Sequence, residues 1–275
     1  MRTLVAGIAL AGFTYGVVES RWIRPVTHEV ELAGLDPVFN GFTILHLSDL
    51  HGRVEVFSLP LFRRWLKSAD LVVVTGDLYH PGLSRRRLAR ALDGVRQRRP
   101  TFLVSGNHDY RSGRLDLRPL SADGLLDNSV VPIRRSGHIW WLAGLPDLVA
   151  GRPDWGPVLS QIGSGAAVLL SHRPDAVVDP RAKRFQLILS GHTHGGQVVF
   201  PVVGALVKHT RVGGGYVAGR RDIPDGPTLI TSRGLGTSEL PVRLFCRPEL
   251  VRVVLRAPVD VGSPAGERQQ GQGLA

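Results

Sequence analysis

An α/β fold is what the sequence predicts, and three observations predict it. From Thr43 to Val104 short apolar runs alternate with polar-faced helical stretches, the pattern of parallel strands whose two sheet faces are both covered. Beyond Tyr110 the helical periodicity fades and strand-like runs separated by Gly- and Pro-rich loops take over, so a second, more strand-rich sheet is expected to face the first. Hydrophobic residues make up 43% of the 275 residues and charged residues 21%, ordinary for a chain with a full core. One large domain is the expectation, from about residue 25 to residue 256, and bulk disorder is excluded.

The elements follow in order. Thr3 to Val18 is apolar or small apart from Thr and Tyr, with Arg2 before it and Glu19, Arg21 and Arg24 after. As a helix it is about 24 Å long, short of the ~30 Å hydrocarbon core unless the flanking arginines reach to the interface. Residues 1–24 therefore read as a membrane anchor or a signal-like segment. The small-x-small run Ala9-Leu10-Ala11 could be a cleavage site, but cleavage there leaves too short an apolar region. Arginines on both flanks leave the side of the membrane undecided. Thr43 to Ser48 is the first strand, Leu59 to Ser68 an amphipathic helix, Leu71 to Val74 a strand, Ser84 to Arg98 a helix and Thr101 to Val104 a strand. Later strands are expected at Ser129 to Ile133, Ile139 to Ala143, Ala167 to Leu170, Phe185 to Leu189, Thr228 to Thr231 and Leu250 to Leu255. The tail 257–275 has too little apolar content to pack and is expected to be disordered.

The formal charge is +11 and comes almost wholly from arginine. Such a surface attracts anionic partners: phosphorylated substrates, acidic lipid headgroups or nucleic acid. The single Cys246 excludes an internal disulfide.

The chemistry lies at the strand ends. The first strand runs into Ser48-Asp49-Leu50-His51-Gly52; the next ends in Thr75-Gly76-Asp77, and Thr101 to Val104 in Ser105-Gly106-Asn107-His108-Asp109. In the second half, two more end in Ser171-His172 and in Ser190-Gly191-His192-Thr193-His194. Side chains at the carboxyl ends of parallel strands gather at one edge of a sheet. The donors are oxygen and nitrogen with no thiolate, a set that suits manganese, iron, cobalt or zinc. They are too many for one tetrahedral ion. Two ions with a shared carboxylate, ~3.5–4 Å apart, can hold a bridging hydroxide and clamp the oxygens of an in-line phosphoryl displacement. Two divalent ions with Asp49, Asp77 and that hydroxide leave a net positive centre, which attracts an anionic phosphoester.

The set Asp49-x-His51, Gly76-Asp77, Gly106-Asn107-His108-Asp109, His172 and Gly191-His192-x-His194 resembles the signature of the calcineurin-like metallophosphoesterases. The apolar start, Phe39-Asn40-Gly41, His194-Gly195-Gly196-Gln197, Ser232 to Thr237 and Pro241-Val242-Arg243 further resemble a membrane-associated bacterial branch that includes phosphodiesterases and UDP-2,3-diacylglucosamine pyrophosphatase-like enzymes. The resemblance implies a four-layer α-β-β-α sandwich of two mixed sheets. It implies that Asp49, His51 and His194 hold one metal, that Asn107, His172 and His192 hold the second, and that Asp77 bridges them. His108 would orient the phosphate and protonate the leaving oxygen, with Asp109 orienting its ring. The cofactor expected is a pair of divalent ions per chain, manganese first by resemblance, with iron or zinc fitting the same ligands. The substrate expected is a phosphodiester or pyrophosphate at an anionic membrane surface, such as a precursor of lipid A; a nucleotide or nucleic acid is the rival substrate, and a non-catalytic scaffold the rival role. Arg211, Arg220 and Arg233 are candidate phosphate contacts, and His80 and His209 could approach substrate from loops. Oligomeric state is not legible.

Overall fold

The computed structural model describes residues 2–80, 82, 84–111, 117 and 124–258; most of the 257–275 tail lies outside the described residues. The expected alternation is present. Strands β2 (Thr43–Leu47), β3 (Leu71–Thr75) and β4 (Thr101–Val104) pair in parallel. Helices α2 (Pro60–Ser68) and α3 (Arg85–Arg96) connect them. The sheet is completed by β13 (Glu249–Arg256), antiparallel to β2, and by the edge strand β1 (Arg24–Glu31), parallel to β13. Strand β1 was not anticipated because Arg-Pro-Val-Thr-His-Glu-Val-Glu carries almost no apolar stripe and lies exposed at the edge.

The second sheet has the order β11-β12-β8-β7-β6-β5. β6 (His138–Leu145), β7 (Ala167–Ser171), β8 (Leu187–Ser190) and β12 (Thr228–Thr231) are parallel; β5 (Ser129–Arg135) and β11 (Gly219–Asp222) are antiparallel edges. The short β11, with its Gly-Arg-Arg-Asp sequence, was also missed.

Alternation along the strands builds the layers. Ile44, Val73, Val251 and Val253 from the first sheet meet Trp140, Leu142, Val168, Leu170, Leu189 and Ile230 from the second in one core. The other faces are covered separately. Leu45, Leu47, Val72 and Val74 pack under Phe62, Leu66, Leu88 and Leu92 of α2 and α3. Ala143, Leu169 and Ile188 pack under α5 (Trp155–Gln161) and the 3-10 turns at 174–184, through Trp155, Val158 and Phe185. The fold is the expected α/β sandwich of two mixed sheets.

Helix α1 (Arg2–Glu19) precedes the sandwich. Its last turn is tied down: the Glu19 carboxylate accepts the amides of Phe245 (2.9 Å) and Cys246 (2.8 Å), while Leu10, Phe13, Tyr15 and Val18 are exposed. No helix among the described residues is long and apolar enough to cross a membrane.

His46 on β2 links the core to the strand ends. Its Nε2 lies 2.9 Å from Thr75 Oγ1, and burial, helped by the nearby charge of His28, pushes its pKa down to about 3. The folded value is below that of the unfolded chain, so the stability from keeping His46 neutral is complete above about pH 6.5 and is lost as pH falls toward about 3. We expect His46→Gln to flatten the decline of unfolding free energy with acid by roughly 2 kcal/mol between about pH 6.5 and 4.5, measured by denaturant titration across that window.

Candidate metal centre

Parallel pairing sets where the polar residues fall. Asp49 and His51 follow β2, Asp77 follows β3, and Asn107 opens α4 (Asn107–Arg111) after β4; His172 follows β7, and His192 and His194 follow β8. The carboxyl edges of both sheets thus deliver one cluster. The chain turns sharply there: Asp49, His51, Asp77, His192 and His194 all have positive φ, between 41° and 70°, a region that side-chain-bearing residues seldom occupy and that costs on the order of 1 kcal/mol or more each. Asp and His tolerate it better than most. Two glycines permit the packing: a Cβ on Gly106 would strike the Asp77 carboxylate, and one on Gly191 the Asp49 carboxylate and the Ser48 hydroxyl.

Two groups of donors fit a dinuclear metal site. Asp49, His51 and His194 form one, and Asp77, His172 and His192 the other, the donor atoms of each within 4.8 Å of one another. In the first, His51 Nε2 and His194 Nε2 are 3.1 Å apart and Asp49 Oδ1 is 3.4 Å from His194 Nε2. In the second, His172 Nε2 lies 3.2 Å from His192 Nδ1 and 3.3 Å from Asp77 Oδ2. Asn107 Oδ1, 3.2 Å from the same nitrogen, joins them. Asp77 Oδ2 also stands 3.6 Å from His51 Nε2, between the two groups. His172 Nδ1 is 2.7 Å from the Thr75 carbonyl; that bond needs the proton on Nδ1 and points Nε2 inward, the nitrogen that would meet a cation.

The charges are strongly coupled. Burial holds Asp49 up at about 6. Burial would also raise Asp77, but the charge and hydrogen bond of His172 outweigh it and leave Asp77 well below the usual carboxylate range. His172 is opposed by burial and raised to about 10, chiefly by Asp77. Burial pushes His51 down to about 4, His192 to about 2 and His194 well below its ordinary value, so these three rings are neutral at neutral pH, the form a metal ligand requires.

The remaining residues divide. His108 stands with its ring centroid 4.9 Å from that of His51, edge-on, and its amide donates to Asp77 Oδ1 at 2.8 Å. The resemblance gives Asp109 the task of orienting the His108 ring, but the contacts of its carboxylate are backbone amides. Oδ2 accepts from Asp77 (2.8 Å) and Gly106 (2.9 Å), and Oδ1 from Leu78 (3.0 Å) and Tyr79 (3.3 Å). Its four acceptor positions are used in splicing the β3 and β4 loops together.

An open cavity of ≈ 980 Å³ reaches Asp77, Asn107, His108, His192 and His194; Arg173, Lys208, His209 and Arg211 also line it. Arg173 was not anticipated from sequence. Its Nε pairs with the buried Asp147 carboxylate at 2.8 Å and its Nη1 lies 2.7 Å from His192 Nε2. Its place directly after His172 was the one available signal. Arg243, noted in the sequence only within Pro241-Val242-Arg243, is fully buried, and its guanidinium donates to the carbonyls of His194, Arg233, Gly236 and Cys246, fixing the loop that carries His194. Arg220 pairs with Asp222 and the Glu29 carbonyl, and Arg233 lies 3.8 Å from Glu249; neither lines the cavity.

A fold and a site of this kind define a metal-dependent phosphoester hydrolase, and comparison with known proteins agrees. Residues 42–196 match the family model described as calcineurin-like phosphoesterase. The uncharacterized metallophosphoesterase YkuE of Bacillus subtilis is 29% identical over 92% of this chain and 94% of its own length. The phosphodiesterase YaeI of Escherichia coli is 31% identical over 89% of this chain and 93% of its own. A bovine transmembrane protein with metallophosphoesterase domain is 29% identical over 84% of this chain and 56% of its own. The chain belongs to the calcineurin-like phosphoesterase family.

Replacing Asp109 by Asn turns one accepting oxygen into an NH2 group facing two amides. We expect Asp109→Asn to destabilise the fold by about 2 kcal/mol and to weaken metal binding with it, read by thermal unfolding and by manganese titration.

Proposed function

We propose that the protein hydrolyses a phosphodiester or pyrophosphate bond of an amphiphilic substrate at a membrane surface, with manganese, iron or zinc as the ions. The observation that carries the reading is Asp77 Oδ2, within 3.6 Å of His51 Nε2 and 3.3 Å of His172 Nε2, a carboxylate oxygen shared between two nitrogen-rich groups. In this reading Asp49, His51 and His194 hold one ion, Asn107, His172 and His192 the other, and Asp77 both. The bound ions supply an activated water and neutralise charge on the phosphoryl oxygens. His108, on the cavity wall beside His51, hydrogen-bonds the phosphate and gives a proton to the departing oxygen. Asp109 keeps the His108 loop against the Asp77 loop. Arg173, braced by Asp147, offers its guanidinium charge to the non-bridging oxygens.

Support for a diester over a monoester comes from YaeI, whose name is that of a phosphodiesterase, and from Lys208 and Arg211, further cations lining the same cavity. Support for an amphiphile comes from the apolar side chains Leu148, Val149, Val178, Leu206 and Val207 that share this cavity with the cations, and from a relative named for its transmembrane character. A UDP-diacylglucosamine-like lipid, with a pyrophosphate between a polar and an acyl-bearing half, has this chemistry. α1 would hold the protein to the membrane.

The test strips the full chain of metal and returns manganese, zinc or iron in separate assays. We expect metal-restored hydrolysis of bis-p-nitrophenyl phosphate to exceed that of the monoester. His108→Ala should lower kcat by about 10²–10⁴-fold while both ions stay bound, and Arg173→Met should raise KM. Two ions bound per chain with no turnover of any phosphoester would contradict the reading.

A further inference from the structure

The cavity opens beside a strip of exposed apolar side chains that the hydrolytic site does not use. Strands β9 (Val199–Phe200) and β10 (Gly204–Ala205) form a small antiparallel hairpin. Its tip carries Val202, 108% exposed, and Val203, 72% exposed. Val202 also has φ +75°, where a β-branched residue is disfavoured and Gly or Asn is the ordinary choice. Both its solvation and its backbone oppose valine at this tip, so folding does not account for it.

Backbone hydrogen bonds and one ring contact tie these exposed groups together. The Val199 amide donates to the Leu244 carbonyl at 2.9 Å and the Leu244 amide to Gln197 at 3.0 Å, which stitches the hairpin to the segment bearing Leu240 and Phe245, both more than half exposed. The Phe245 ring lies 6.3 Å from that of Tyr15 on α1, whose Leu10, Phe13 and Val18 are also exposed. A helix apolar on its open sides needs a covering medium. At the other end, Leu206 and Val207 lead directly into Lys208 on the cavity wall, with Val149 and Val178 also lining the cavity. Cations accompany the apolar groups: Lys208 and Arg211 by the cavity, Arg21 and Arg24 after α1, on a chain of formal charge +11; besides Asp77 of the metal centre, Asp175 and Glu239 are the acids in the same lining.

We propose that the β9–β10 hairpin, Phe245 and the exposed side of α1 form one docking surface for an anionic bilayer. The hairpin tip enters the boundary between headgroups and acyl chains, Lys208 and Arg211 meet lipid phosphates, and the cavity opens at headgroup level. The proposal rests on the amphiphilic substrate reading, which it deepens by naming how such a substrate arrives.

The test sediments the manganese-loaded full chain with vesicles of equimolar phosphatidylcholine and phosphatidylglycerol, and with phosphatidylcholine alone. We expect binding to the anionic vesicles, a partition at least about tenfold weaker for the double variant Val202→Asp, Val203→Asp, and undiminished turnover of soluble bis-p-nitrophenyl phosphate by that variant. Val202→Trp reads the tip itself: its emission should shift to the blue on anionic vesicles relative to the parent chain. Equal partition of parent and double variant, or Val202→Trp emission that vesicles leave unchanged, would overturn the proposal. So would dimerisation that the double variant abolishes in the absence of vesicle binding, which would assign the strip to a second copy of the chain. A parent chain that binds vesicles through the tip yet turns over no soluble diester would leave the docking surface standing and count against the hydrolytic reading.

Discussion

The structure depends on two carboxylates, Asp49 and Asp77, buried side by side at the carboxyl edges of a sandwich. Two anions out of water cost far more than hydrogen bonds return unless positive charge is close. Among the described residues neither pairs with a lysine or arginine; their ion-pair partners are His51, His172 and His194. Imidazoles are the right neighbours for carboxylates that hold a cation, because a neutral ring offers a lone pair where a guanidinium offers only protons. The same burial that raises Asp49 drives His51, His192 and His194 to the neutral form.

Holding that cluster falls to the backbone. Parallel strands end together, so one register brings Asp49, Asp77 and Asn107 to one edge, and the facing sheet brings His172, His192 and His194 to the other. Each residue then turns abruptly, five of them through positive φ. A buried network keeps these turns in place. Thr75 Oγ1 donates to Ser48 Oγ at 2.8 Å, which donates to Asp49 Oδ2 at 2.6 Å; Asp109 gathers four amides, and Arg243 gathers the carbonyls behind His194. These groups touch no substrate, yet they carry the strain the site stores.

Much of this was legible in the sequence, for a physical reason. Strands β2, β3, β7 and β8 are buried on both faces, so they read as mostly apolar runs, broken only by His46 in β2, and the polar residues after each run mark an edge. What escaped is whatever lacks that contrast. Strand β1 is polar because it is an edge, and β11 is four residues of Gly, Arg and Asp. Arg173 and Arg243 look like any of the chain's other arginines until the fold gives them their partners. Asp109 was legible as part of Gly106-Asn107-His108-Asp109, but its partners are amides 30 or more residues away and in its own turn, contacts that no local pattern encodes. The hairpin tip Val202-Val203 escaped as well, since exposure is a property of the folded chain.

The central claim is that Asp77 lies between two ions, and anomalous diffraction from crystals of the manganese-loaded protein tests it most directly. The account predicts two peaks ~3.5–4 Å apart, one beside Asp49, His51 and His194, the other beside Asn107, His172 and His192, with Asp77 Oδ2 between them. A single peak, or two peaks with Asp77 bound to only one, would contradict it.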